Sequence, residues 1–124
     1  MKRMIAYLAV LVMLLSACSG EPTPNKYYSE GTVAAMQAAI ETLDDFLSYK
    51  LTAEEAREKL DRIADTMDTS DTFSSSASTL IFCASLDVSR CGRYSDFGAN
   101  SEAADAMADV RESRDKLYDT LYSK

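Results

Sequence analysis

Apolar side chains recur every third or fourth residue from Val33 onward, at Val33, Met36, Ile40, Leu43 and Leu47. That spacing lines one face of an α-helix, where a strand would need strict alternation. Gln37, Glu41, Asp44, Asp45 and Ser48 fall largely on the other side, so Gly31 to Lys50 reads as an amphipathic helix with a face to bury. The pattern then repeats. Thr52 followed by Glu55 makes a capping box, Leu51 and Ala56 are placed for a hydrophobic staple, and Ala56, Leu60, Ile63 and Met67 carry a second stripe. With only a residue or two between them, these segments form an αα-hairpin or one bent helix. Asp68-Thr69-Ser70-Asp71 is a turn of capping residues, and a third helix begins near Ser70 or Asp71. Phe73, Ala77, Leu80, Ile81 and Ala84 supply its apolar side, although Ser74, Ser75, Ser76 and Ser78 make its start a weak helix former. A loop is expected from Asp87 to Asn100. The last helix starts near Ser101, with Ala103, Met107, Val110, Leu117 and Leu121 on its stripe and Arg114 interrupting it. No segment has a convincing strand pattern. The expectation is an all-α domain over residues 31–124, a small bundle of about four amphipathic helices built as two hairpins. A domain of this size is marginal alone, so a covalent staple would help.

The first residues follow different rules. Lys2 and Arg3 precede an apolar run from Met4 to Leu15, and the small residues Ser16 and Ala17 close it. This is the layout of a secretory signal, and the run is shorter than the roughly 20 residues a membrane-spanning helix needs. Leu15-Ser16-Ala17-Cys18 resembles the lipobox of bacterial lipoproteins, a resemblance confined to about the first 18 residues. It implies that residues 1–17 are a signal peptide cut before Cys18. The Cys18 thiol would carry a diacylglycerol with palmitate-like acyl chains, and the product would be held at the cell membrane or outer membrane, facing outside the cytoplasm. Each buried methylene contributes about 0.8 kcal/mol, and two chains anchor stably where one does not. By the same resemblance, Ser19 in place of Asp favours the outer membrane in a Gram-negative host. Ser19–Ser29 contains both prolines and a glycine, so residues 18–30 read as the lipidated N-terminus and a flexible tether.

The chain has 13 basic and 20 acidic residues. Removing a leader that holds Lys2 and Arg3 leaves 11 against 20, a net charge of −9. Such a surface is soluble and repels nucleic acid and anionic lipid. With Cys18 given to lipid, two thiols remain, Cys83 and Cys91. Disulfides persist outside the cytoplasm, so these two are expected to bond, stabilising by about 2–3 kcal/mol. The alternative is a pair of free or buried thiols.

The chain has no histidine, which removes Ser-His-Asp and Cys-His nucleophilic sites and the usual zinc ligand sets. There is no G-x-S-x-G motif and no glycine-rich phosphate loop, and only four glycines occur in all. No cofactor or metal is expected. Asp61, Asp65 and Asp68 share a helical face with Arg57, Lys59 and Arg62 nearby, which reads as a solvated charged face rather than an acid–base pair. The stretch Ser89–Phe97 is the unusual one, placing Arg90, Arg93, Tyr94 and Phe97 together in an acidic chain. Arginine and aromatic residues dominate protein-interface hot spots, so these four are the candidate partner-binding residues. The alternative reading has the aromatics capping the core and the arginines paired with acids. The function expected is a membrane-anchored, non-enzymatic protein-binding or adaptor module whose partner is an envelope protein. A structural envelope lipoprotein or a small-ligand carrier are the other readings.

Overall fold

The computed structural model describes residues 22–123, which contain four α-helices and, among the described residues, no strand. They are α1 (Glu30–Leu47), α2 (Ala53–Thr66), α3 (Thr72–Asp96) and α4 (Asn100–Leu121). Short turns reverse the chain each time, giving an up-down-up-down bundle in which α3 packs on α2 and α4, and α1 closes the ring between them. Met36, Leu43, Leu60, Ile81, Val88, Val110, Leu117 and Leu121 are fully buried along its axis. Burying such side chains contributes roughly 1.5–3 kcal/mol each before the entropy of ordering the chain is set against it.

The helix starts follow local chemistry. Ser29 caps α1 by accepting from the Thr32 N–H, and Thr52 and Glu55 form the expected capping box on α2. Asp71 caps α3 through the Ser74 N–H at 2.8 Å. The serines that weaken this helix start serve its packing. Ser74 is buried, and a chain of hydroxyls runs from Ser29 to Thr32 (3.0 Å), on to Ser74 (2.7 Å) and into the Asp71 carboxylate (2.8 Å). Each hydroxyl on this α1–α3 contact therefore has a partner, as burial requires. Arg114, which breaks the α4 stripe in the sequence, clamps α4 to α1. Its Nε and Nη2 donate to the two Asp44 carboxylate oxygens at 2.8 and 3.3 Å, and its guanidinium lies over the Tyr118 ring.

Two expectations need correction. The third helix does not end near Ala84; it continues to Asp96, so the expected loop from Asp87 to Asn100 is mostly helix. Val88 and Cys91 extend the buried stripe of Ala77, Ile81 and Ala84 at helical spacing, and that burial carries the helix onward. The Cys83–Cys91 disulfide is accordingly absent. Eight residues apart on one continuous helix, the two lie about 12 Å apart along its axis, beyond the roughly 7 Å limit between bridged Cα atoms. Cys83 faces solvent and Cys91 is buried, both as free thiols.

The end of the expected tether is docked on the bundle rather than free of it. Asn25 donates its N–H to the Leu121 carbonyl at 2.6 Å and its side-chain amide to Ser123. Tyr27 stacks on Phe73 and Tyr28 meets the same ring edge-on. The chain thus enters the bundle at the end where α1 begins and α4 finishes. Cys18 and the leader lie outside the described residues.

Candidate functional site

At the opposite end, α1 and α3 finish and α2 and α4 begin. Both finishing helices close with the same hydrogen-bond pattern. In α3, Ala99 N–H reaches the Tyr94 carbonyl (2.9 Å) and Gly98 N–H reaches Ser95 (3.1 Å), with Gly98 at φ 69°. In α1, Lys50 N–H reaches Asp45 (2.8 Å) and Tyr49 N–H reaches Phe46 (3.1 Å). This is the Schellman arrangement, whose left-handed residue is usually glycine because it has no Cβ to clash. Here α3 uses glycine and α1 uses Tyr49, at φ 62°.

The strained position holds a side chain with little to pack against. Tyr49 is 85% exposed, and Phe97, the last residue before the α3 turn, is 81% exposed. They are the two most exposed of the large hydrophobic side chains described, and both stand at this end. Between the helix ends lies a cleft of about 480 Å³, lined by Phe46, Tyr49, Leu51, Cys91, Ala103 and Met107 among others. Its floor is mainly apolar. Burial pushes the Cys91 thiol up from its ordinary range, so it stays protonated and behaves as a small core residue.

The four residues singled out in the sequence divide. Arg90 is half-buried and tied to Asp87 at 3.3 Å and to Asp109, which makes it a structural ion-pair residue joining α3 to α4. Tyr94 is half-buried and packs on the core. Arg93 is exposed, with no carboxylate at ion-pair distance among the described residues, and Phe97 one turn later is exposed as well. The local alternative therefore holds for Arg90 and Tyr94, while Arg93 and Phe97 remain at the bundle end. Tyr49 is the residue that sequence reasoning overlooks. Its signal is a helix stop at Ser48-Tyr49-Lys50 without glycine, which requires some other residue to take the left-handed position.

Asp61 and Arg57 pair along α2 at 3.2 Å, and Asp61 also accepts from Ser85 at 2.5 Å. Asp61 is thus engaged in ordinary surface and interhelix pairing. No cluster of three or more potential metal ligands and no helix long and apolar enough to cross a membrane occurs among the described residues. No protein-family model matches the chain, and neither does any curated protein or solved structure.

Proposed function

We propose that this chain is a lipid-anchored extracytoplasmic adaptor. Cys18 carries the anchor, and the bundle end bearing Tyr49, Arg93 and Phe97 binds an envelope protein. The anchor rests on Lys2 and Arg3, the apolar run and Leu15-Ser16-Ala17-Cys18. The observation that carries the binding role is Tyr49. A tyrosine held at φ 62° where glycine would relieve strain, and left 85% exposed, adds nothing to the fold that offsets its backbone cost. Phe97 at the same end adds a second exposed ring, and Arg93 an exposed cation; these are residue types that act as interface anchors. The bundle end in question is also the one remote from the tether. With Asn25 docked beside Leu121, the length of α4 separates the two, about 33 Å at 1.5 Å per residue.

The test is a photo-cross-linking residue placed in living cells at Phe97, at Tyr49, and at Thr69 in the turn on the tether side. Discrete adducts from Phe97 and Tyr49 but not from Thr69 support the reading. No adduct from the first two positions, or equal adducts from all three, would overturn it. Alanine at Phe97 or Tyr49 should weaken capture by roughly tenfold or more, the size of an interface hot spot.

A further inference from the structure

From Thr72 to Leu86 the chain holds no charged residue, the longest such run in the described part of an otherwise strongly charged protein. This run is the first three-fifths of α3. Its inward side chains, Ala77, Ile81 and Ala84, are buried, and its outward ones are Ser75, Thr79, Phe82 and Leu86. Phe82 is 52% and Leu86 55% exposed, one helical turn apart. At 100° per residue, Asp71, Ser75, Thr79, Phe82, Leu86 and Arg93 all fall within one sector of about 80°. The outer face of α3 is therefore an uncharged strip with an apolar centre, an acid at its N-terminal end and an arginine at its C-terminal end.

We infer that this face pairs with the same face of a second copy of the chain, antiparallel, about a two-fold axis beside Phe82. The charges select both occupant and direction. Two copies at −7 each, or −9 once residues 1–17 are removed, repel wherever their acidic surfaces meet, and the α3 strip brings them together without adding like charges at the contact. Asp71 and Arg93 each lie eleven residues from Phe82, on opposite sides of it. Antiparallel pairing thus sets each Arg93 against the other copy's Asp71, twice over, while parallel pairing sets arginine against arginine. Leu86 then meets the other copy's Ser78 and Thr79, and Phe82 meets Phe82, as an isologous contact requires. Arg93 is shared between this contact and the bundle end of the proposed adaptor, but Tyr49 and Phe97 lie outside the strip. The two copies' tethers leave from opposite ends. The seven residues from Cys18 to Pro24, ahead of the docked Asn25, span at most about 25 Å, so both anchors reach one membrane if the pair lies along it. The placement at a membrane rests on the proposed anchor, while the pairing itself requires nothing of the partner-binding end.

A single helix face is small beside a standard interface of about 800 Å² per partner, so the expected dimer is a micromolar one. The experiment uses the full chain extracted from membranes in detergent. Sedimentation is followed across about 1–100 µM, where a dimer of this kind should form and dissociate. In parallel, bismaleimidoethane is added, because Cys83 flanks the strip on the same side of the axis in both copies. The expected result is a concentration-dependent dimer with a cross-link that maps to Cys83–Cys83. The Phe82→Asp/Leu86→Glu variant, altered only at exposed positions, should keep its helical circular dichroism and lose the cross-link at least tenfold. Arg93→Glu should weaken the dimer in the same direction. A monomer throughout that range would overturn the inference. So would a dimer indifferent to Phe82→Asp/Leu86→Glu, or wild-type Phe82 and Leu86 shielded by vesicles while the chain stays monomeric, which would assign the face to lipid.

Discussion

Tyr49 gives up local stability, whereas the two capping carboxylates Glu55 and Asp71 supply it. Tyr49 occupies a left-handed backbone position that glycine takes without strain, so Tyr49→Gly should raise stability by about 1 kcal/mol. Urea unfolding would show this as a higher midpoint at unchanged slope. The same substitution should reduce partner capture, and a variant that is both stabilised and fully active would separate the strain from function. Glu55 and Asp71 act at helix starts. The Thr52 backbone and side chain hold the Glu55 carboxyl below its ordinary range, and the Ser74 backbone and side chain do the same for Asp71. Folding therefore favours their charged forms. Their contribution is complete above the ordinary carboxylate range near pH 4 and is lost as pH falls through the lowered folded-state values. The unfolding midpoint should drop below about pH 4, and more shallowly in a Glu55→Gln/Asp71→Asn variant, which keeps capping groups without the titration.

At the scale of the elements, the four apolar stripes are legible in the sequence because each has the helical period, and the Thr52–Glu55 box marks the start of α2 from residue types alone. The end of α3 is not legible in the same way. The cluster Ser89-Arg90-Cys91-Gly92-Arg93 has the composition of a connection, with a glycine among several polar residues. In the fold, Gly92 lies within α3, and α2 comes so close to it that a residue without a Cβ suits the position. A Cβ built there would sit 2.8 Å from the Ala53 Cβ. Helix propensity would favour alanine by about 1 kcal/mol, but overpacking at such a contact costs roughly 1–3 kcal/mol. Gly92→Ala should therefore destabilise by about 1 kcal/mol, and adding Ala53→Gly should recover part of the loss. A stabilised Gly92→Ala protein in thermal unfolding would mean that the α2–α3 crossing yields easily. The true stop is Gly98 after Phe97, a left-handed cap of the kind a glycine advertises in any sequence. The longer helix that results removes the disulfide and moves Arg93 and Phe97 from a loop to a bundle end.

On the scale of the whole molecule, the bundle has two unlike ends. The chain enters at one, where Asn25, Tyr27 and Tyr28 dock against Leu121 and Phe73. Exposed rings stand at the other, around a mainly apolar cleft. Two of the residues at that end, Arg93 and Phe97, are conspicuous in the sequence because arginine and phenylalanine sit together in an acidic chain. The end itself is not, since Tyr49 and Phe97 come from different hairpins and reach the same end only through the antiparallel packing of the helices. In the proposed reading the end where the chain enters faces the membrane and the exposed end faces away from it, an arrangement that depends on an anchor at Cys18. Intact mass of the protein taken from the membrane fraction tests that anchor most directly. The expected species is a chain beginning at Cys18 with the added mass of a diacylglycerol. A chain that keeps residues 1–17 and an unacylated Cys18 would contradict the anchored adaptor.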